Sequence, residues 1–156
     1  MAARQTINRS SYTSPYLSEA VSYNGLVFCS GKIGLDARTG KLVSEDTGKQ
    51  TEAALKLLES VLSAAGSDFT KLLKVNIYLT SRDDFDAMND VYMAVIPNPK
   101  PARACVTVTE LGMNAKVEIE CTAYVGSAPL QAESPWPLLQ PQLGEVANKK
   151  VNRPLT

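Results

Sequence analysis

The sequence predicts a single α+β domain in which one β-sheet carries two helices on one of its faces. Stretches of alternating apolar and polar residues occur in both halves of residues 14–126, and two stretches with helical spacing lie among them. Two amphipathic helices can bury their apolar stripes together by packing on the same sheet. A chain of 156 residues is long enough for one such core and short for two.

The first two predicted strands form a hairpin that follows an irregular lead-in at residues 1–13. A short strand turns at Asn24-Gly25, a dipeptide that favours tight hairpin turns, into a second strand that Ser30-Gly31 closes. A glycine at a strand end commonly permits a bulge or a bend. Its missing side chain also lets a ligand approach the backbone, so Gly31 is a candidate pocket residue.

Two segments have the periodicity of amphipathic helices. The first covers residues 48–65 and ends at Gly66. After a strand at residues 72–80, Ser81 is a suitable N-cap for the second helix, because acidic residues follow it in the first turn. The apolar stripe of this helix consists of Phe85, Met88, Val91 and Tyr92.

Residues 100–125 are predicted as two half-buried strands joined by a short loop. In the first strand one face is apolar, with Ala104, Val106 and Val108, and the other carries Arg103, Cys105, Thr107 and Thr109. In the second strand the polar face carries Glu118, Glu120, Thr122 and Tyr124. Polar faces of antiparallel sheets usually lie in water, but the small hydroxyl side chains suit a partly covered surface. A second copy of the chain is the simplest cover.

The separation of Arg103 and Glu118 depends on the register of this hairpin. If residues 111–116 form the turn, Thr109 lies near Glu118 and Arg103 lies near Tyr124. Arg103 is then about six residues, or roughly 20 Å, from Glu118 along the hairpin. A pocket that contains both side chains needs a subunit boundary, or strand twist and other loops, to bring them together. We therefore expect oligomerisation to be part of the function.

The composition excludes several kinds of site. The chain has no histidine, which removes the catalytic triads and metal sites that depend on it. Cys29, Cys105 and Cys121 lack the paired spacing of metal ligands and lie in predicted strands, so we interpret them as buried free thiols. The 16 basic and 16 acidic residues balance, so the charge pattern of a nucleic-acid-binding protein is missing.

The sequence also bears on localisation. No apolar run is long enough to span a membrane, and residues 1–18 lack the apolar core of a secretory signal. These residues carry Arg4 and Arg9 with several hydroxyl residues and no acid, which weakly resembles a mitochondrial presequence. Because the segment is short, we expect a cytosolic protein.

Residues 127–156 differ in composition from the rest of the chain. They contain five of the nine prolines and the only tryptophan, Trp136. Such a segment cannot continue the sheet. It is predicted to be a flexible or loosely docked tail, and the alternative is that the cluster around Trp136 packs on a neighbouring subunit.

Arg103 is the strongest candidate for binding a small ligand. It follows Pro101 at the start of a strand, and its planar, bidentate guanidinium suits a carboxylate better than a lysine would. The alternative is an ordinary ion pair with Glu118, Glu120 or another acid. The residues alone leave both interpretations open.

Taken together, several segments resemble the RidA family, also called the YjgF or L-PSP endoribonuclease family. They occur in the family's order across residues 14–126: Ser30-Gly31-Lys32-Ile33-Gly34, Ala65-Gly66, Val75–Leu79, Asp84-Phe85, Asn89-Asp90-Val91-Tyr92, Pro101-Ala102-Arg103 and Val117-Glu118-Ile119-Glu120. The resemblance implies a chorismate-mutase-like α+β domain with a mixed sheet, assembled as a homotrimer with three sites in clefts between subunits. It is closest to the archetypal, arginine-bearing branch, whose members are enamine/imine deaminases.

The resemblance also implies roles for individual residues. Arg103 matches the arginine that clamps the substrate carboxylate, and Glu118 matches the glutamate that holds or activates the hydrolytic water. Ser30, Gly31 and Cys105 match pocket positions, whereas Asn89 and Tyr92 match a motif nearer structural support.

Three positions depart from the family pattern. Tyr16 matches a pocket tyrosine, but a one-residue insertion at Leu17 or Ser18 would shift its ring. Lys32 replaces a usual glutamine, which would alter the charge of the pocket. Gly112 replaces a common proline, which would loosen its loop.

The implied reaction converts a 2-aminoacrylate-type enamine, through its 2-imino acid tautomer, to a 2-keto acid and ammonia. It needs no metal, cofactor or covalent nucleophile, and its partner is a small imino or keto acid rather than nucleic acid or a membrane. One alternative is a protein of the same fold that binds small carboxylates, or acts in interactions, without turnover. A weaker third is a ribonuclease or translation inhibitor, because the chain lacks histidine and an aromatic-basic platform.

Overall fold

A mixed six-stranded sheet carries two helices on one face. The computed structural model describes residues 3–126. In chain order the elements are β1 (Gln5–Ile7), β2 (Ala20–Tyr23), β3 (Leu26–Ile33), α1 (Thr47–Ala64), β4 (Leu72–Leu79), α2 (Phe85–Val95), β5 (Ala102–Thr107) and β6 (Val117–Tyr124). The strands are ordered β1-β2-β3-β6-β4-β5, with β4 and β5 parallel and the other neighbours antiparallel. This arrangement confirms the predicted α+β class.

The two helices form as the sequence predicts. Asp46 caps α1 by accepting a hydrogen bond from the backbone N–H of Lys49, and Gly66 follows the helix with a φ of +75°. Ser81 accepts from the N–H of Asp83, but it opens a short 3₁₀ turn that leads into α2. Apolar residues of both helices pack against β3, β4 and β6, and the core includes Leu55, Leu58, Leu62, Met88, Ile77, Leu79, Val117 and Ile119.

The predicted hairpin of the last two strands is wrong. β4 lies between β5 and β6, so Thr109 does not pair with Glu118 and Arg103 does not pair with Tyr124. Instead, β4, α2 and β5 form a β-α-β unit, in which the helix supplies the crossover that parallel strands require. Alternation along a strand identifies the residues that share a face, but not the neighbouring strand.

The predicted faces of β6 are correct, whereas those of β5 are reversed. Val117, Ile119, Cys121 and Ala123 of β6 are buried beneath the helices. On β5, Arg103 and Cys105 are register partners of Val75 and Ile77, so they lie on the helix-covered face. The expected apolar face is instead the open one, where Val106 is 50% exposed. At this edge the helix layer is incomplete, because α2 alone covers the strand.

The predicted lead-in contains regular structure. Residues 5–7, expected to be irregular, form β1 and pair with β2 at the sheet edge. The predicted tail at residues 127–156 lies outside the described residues. Within residues 3–126, no helix is both long and apolar enough to cross a membrane.

Candidate functional site

Arg103 presents a guanidinium that is held by neutral groups. The Oδ1 atom of Asn89 accepts a hydrogen bond of 2.6 Å from Nη1 of Arg103. The Cζ atom lies 4.7 Å from the centre of the Tyr92 ring and 6.0 Å from that of Phe85. Among residues 3–126, no carboxylate forms an ion pair with Arg103. The alternative interpretation, a pair with Glu118 or Glu120, is therefore wrong within the described chain.

The surroundings of Arg103 are half-buried and mostly apolar. Tyr92 is 3% exposed, and its hydroxyl has no hydrogen-bond partner among the described residues. Burial raises the pKa of Tyr92, and the charge of Arg103 opposes that effect. Burial likewise raises the pKa of Cys105, against the charges of Arg103 and Arg82. Cys105 is therefore a neutral thiol beside the guanidinium.

Glu118 lies on the other face of the sheet and packs against Gly31. A Cβ atom added to Gly31 would be 1.9 Å from Oε1 of Glu118. Gly31 is thus required to leave room for a side chain of the same subunit. Burial raises the pKa of Glu118, and the nearby Glu120 carboxylate raises it further. Such a carboxyl group is suited to proton transfer nearer neutral pH than an ordinary glutamate.

Two side chains of β4 hold Glu120. The hydroxyl of Tyr78 and the Nδ2 atom of Asn76 each donate a hydrogen bond of 2.9 Å to its Oε1 atom. The hydrogen bond to Glu120 raises the pKa of Tyr78. Sequence reasoning missed both residues, although they alternate with the buried residues of β4 and so had to share a face.

Ser30 and Gly31 form a bulge inside β3, so the prediction that they close the strand is wrong. The strand continues to Ile33, and its register with β6 shifts between Cys29 and Lys32. The Oγ atom of Ser30 donates to the carbonyl of Ser18 at 2.7 Å. The bulge brings the backbone at Gly31 beneath the Glu118 carboxylate.

The two departures from the family pattern near this bulge have different surroundings. The Tyr16 side chain is 92% exposed, and its backbone N–H donates to Oγ of Ser14 at 3.2 Å. Lys32 is buried and forms a 3.0 Å ion pair with Glu19, which also binds Arg9. The charge of Lys32 is therefore balanced by Glu19, on the face of the sheet away from Glu118.

The described chain brings the predicted residues together in two groups rather than one. Arg103, Asn89 and Cys105 lie on the helix-covered face, whereas Glu118 lies on the open face. A cavity of about 670 Å³ lies elsewhere, between α1 and residues 35–43, and none of the predicted site residues lines it. Residues 3–126 contain no cluster of three metal-ligating side chains.

Comparisons with known proteins match most of the chain. The model of the family described as Endoribonuclease L-PSP matches residues 6–125. The chain is 45% identical to Reactive Intermediate Deaminase A, chloroplastic, of Arabidopsis thaliana, over 70% of this chain and 58% of the relative. It is 42% identical to the mitochondrial protein mmf1 of Schizosaccharomyces pombe, over 79% of this chain and 77% of the relative. It is 37% identical to the human 2-iminobutanoate/2-iminopropanoate deaminase, over 72% of this chain and 81% of the relative.

Solved structures support the same relationship. A crystal structure of RidA from an Antarctic Psychrobacter bacterium aligns with a TM-score of 0.73 and 33% identity, over 78% of this chain and 99% of that one. The Escherichia coli protein TdcF, solved with bound serine, aligns with a TM-score of 0.72 and 27% identity, over 78% of this chain and 99% of that one.

Proposed function

Because the chain belongs to the Endoribonuclease L-PSP family, which includes the RidA proteins, we propose that it is an enamine/imine deaminase. Its substrates are 2-imino acids derived from 2-aminoacrylate and related enamines. Water adds to the electrophilic C2 carbon of the imine, the carbon–nitrogen bond then breaks, and the nitrogen leaves as ammonia. The oxygen of the water becomes the carbonyl oxygen of the 2-keto acid.

The observation that carries this proposal is the unpaired guanidinium of Arg103. Its Nη1 atom is held by Asn89 and its face by Tyr92, so its position is set without a neutralising carboxylate. The remaining N–H groups suit a bidentate contact with the carboxylate of an imino acid. Cys105, next on the same face of β5, borders the bound ligand in this proposal.

Glu118 is the proposed proton-transfer group. Its pKa is raised by burial and by Glu120, which makes its carboxylate a stronger proton acceptor for an attacking water. Gly31 fixes its place by leaving space above the backbone of β3. Positioned acid/base catalysis typically contributes about 10²–10⁴-fold, which is useful for an imine that already hydrolyses unaided.

We further propose that the active unit is a homotrimer with sites between subunits. Within one chain, Arg103 and Glu118 lie on opposite faces of the sheet, so they cannot meet one small ligand. In this proposal a neighbouring copy packs along the open face so that the start of its own β5, with Arg103, lies beside this Glu118. The exposed apolar side chains on that face, Phe28 and Val106, support the same arrangement.

The proposed partners and compartment follow from the same features. The ligand is a small imino or keto acid, and the balanced charge favours neither nucleic acid nor a membrane surface. The proposed compartment is the cytosol, with the mitochondrion as the alternative. Three unpaired thiols suit a reducing compartment. Cell fractionation of the full chain against cytosolic and mitochondrial markers distinguishes the two.

The test compares Arg103→Ala and Arg103→Lys with the wild-type protein and with Arg38→Ala, an exposed arginine on another surface. Iminopropanoate is generated by an amino-acid oxidase, and the remaining imine is trapped with semicarbazide. We expect Arg103→Ala to lower kcat/KM by about 100-fold or more, and Arg103→Lys to lower it less, because lysine keeps the charge without the fork. Unchanged turnover by Arg103→Ala, with an unchanged melting temperature, would disprove the assignment.

Mixing two inactive variants tests the shared site. In a trimer reassembled from equal amounts of Arg103→Ala and Glu118→Gln subunits, about a quarter of the intersubunit sites would contain both intact side chains. Activity should therefore reappear on mixing. If the two residues acted within one subunit, no mixture would recover activity.

A further inference from the structure

Arg82 is a second arginine with no acidic partner near the proposed carboxylate site. It lies in the 3₁₀ turn between β4 and α2, and its Cζ atom is 4.0 Å from the centre of the Phe85 ring. Among residues 3–126 no carboxylate forms an ion pair with it. Its side chain is held by a ring face rather than by a charge, which leaves the guanidinium N–H groups available.

The acidic residues that follow Arg82 in sequence have other contacts. Oδ1 of Asp84 accepts a 2.5 Å hydrogen bond from the hydroxyl of Thr47 and lies 3.9 Å from Nζ of Lys116. Asp83 donates its backbone N–H to Oγ of Ser81, and among residues 3–126 its carboxylate forms no ion pair with Arg82. Local neutralisation therefore does not explain why an arginine lies at this position.

Arg82 and Arg103 flank the same small region. The Cζ atom of Arg82 lies 4.0 Å from the centre of the Phe85 ring, and that of Arg103 lies 6.0 Å from it. The two Cζ atoms are therefore within about 10 Å of each other. Burial raises the pKa of the Cys105 thiol, and the charges of both arginines partly oppose that rise, so both lie near this thiol. Two cations without an acidic partner among residues 3–126 therefore lie on either side of the Phe85 ring, Arg82 beyond the end of β4 and Arg103 at the start of β5.

We propose that Arg82 binds a second carboxylate, so that the preferred substrates are dicarboxylic 2-imino acids of four or five carbons. This inference rests on the proposed deaminase function and specifies its substrate class. Arg103 binds the carboxylate next to the imine carbon, and Arg82 binds the carboxylate at the far end of the side chain. The upper bound of about 10 Å on the distance between the two Cζ atoms is compatible with such a molecule, with each guanidinium at hydrogen-bond distance from one carboxylate.

The contribution of Arg82 should appear in selectivity rather than in the chemical step. A monocarboxylic imino acid has no group for Arg82 to bind, whereas a dicarboxylic one gains a charge-assisted contact. Removing that contact should raise KM for the dicarboxylic substrate and leave its kcat little changed, because the contact is equally strong in the ground and transition states.

The experiment measures kcat/KM of wild-type protein, Arg82→Ala, Arg82→Lys and the control Arg38→Ala. The substrates are the imines that amino-acid oxidases generate from glutamate, aspartate and alanine. We expect the wild-type protein to favour the glutamate- or aspartate-derived imine. In Arg82→Ala the ratio of kcat/KM for the dicarboxylic imine to kcat/KM for the alanine-derived imine should fall by about tenfold or more, mainly through a higher KM for the dicarboxylic imine. Arg82→Lys should retain part of the wild-type ratio. Arg38→Ala should keep the wild-type ratio.

A binding measurement separates this inference from the proposed function. Calorimetry gives the dissociation constants of 2-oxobutanoate and 2-oxoglutarate. The ratio of the first constant to the second should fall about tenfold in Arg82→Ala, because that variant binds 2-oxoglutarate more weakly. If the wild-type protein hydrolyses the alanine-derived imine but Arg82→Ala leaves both ratios unchanged, the assignment of Arg82 is wrong and the deaminase proposal survives. If the wild-type protein hydrolyses none of the imines, both proposals fail.

Discussion

Replacing Gly31 with alanine should lower the catalytic rate strongly and change the stability of the protein only slightly. The new Cβ atom would be 1.9 Å from Oε1 and 2.8 Å from Cδ of Glu118. Ordinary contact begins near 3.4 Å, so the carboxylate oxygen must retreat by about 1.5 Å. The displaced atoms are the end of a flexible side chain, and the backbone at Gly31 does not have a positive φ. Alanine is therefore accommodated once Glu118 moves.

The expected magnitudes differ between the two properties. A displacement of about 1 Å at a catalytic group can reduce the rate about 100-fold, so we expect a loss of that order in kcat for iminopropanoate. The free energy of unfolding should change by about 1 kcal/mol or less, since alanine also restricts the unfolded chain. Stopped-flow or trapping assays measure the first quantity, and urea unfolding monitored by circular dichroism measures the second.

Gly34→Ala is the matched control, because its new Cβ meets backbone instead of a side-chain end. That atom would be 2.4 Å from Cα and 2.6 Å from the carbonyl oxygen of Gln50 in α1. Helix and sheet must then separate, which should destabilise the protein by about 1–3 kcal/mol or more. Full activity in Gly31→Ala, or equal destabilisation by both variants, would refute the assigned position and role of Glu118.

Two further predictions concern pH. Since Glu120 contributes to the raised pKa of Glu118, the acid limb of the kcat/KM profile should move to lower pH in Glu120→Gln, and an unmoved limb would exclude this coupling. For Glu19, burial acts to raise the pKa, but hydrogen bonds from Arg9 outweigh it and help lower the value from 4.5 to about 2. Its stabilising contribution is thus fully present above pH 4.5 and is lost as the pH falls towards 2, so Glu19→Gln should flatten the dependence of the melting temperature on pH in that range. Glu52→Gln should have a much smaller effect, because the Lys56 ion pair that lowers the pKa of Glu52 is exposed to solvent.

The sequence predicts an element well where its neighbours enforce the pattern. β6 lies between β3 and β4, and the helices cover one of its faces, so its alternation identifies the buried side chains correctly. α1 is similarly clear, because its buried residues recur with helical spacing and Gly66 marks its end. At three residues, β1 is too short for alternation to identify it in a polar segment.

Edge positions and long-range contacts are harder to predict. β5 has one neighbouring strand and partial helix cover, so its more apolar face is the open one and its Arg103 face is the covered one. The contact between Asn89 and Arg103 depends on the crossover through α2, which alternation does not encode. The family resemblance identifies Arg103, Glu118 and Gly31 as candidate site residues, but it does not indicate that Gly31 leaves room for the Glu118 side chain.

The open edge of β5 has a consequence for the life of a newly made subunit. Its outer backbone groups have no strand partner among the described residues, and Val106 beside them is half exposed. An unpaired, apolar strand edge is a template for joining the wrong chain. A newly made subunit that has not yet met its sister chains is therefore exposed to edge-to-edge aggregation, which accelerates with chain concentration, and rapid assembly into the proposed trimer would shorten that exposure.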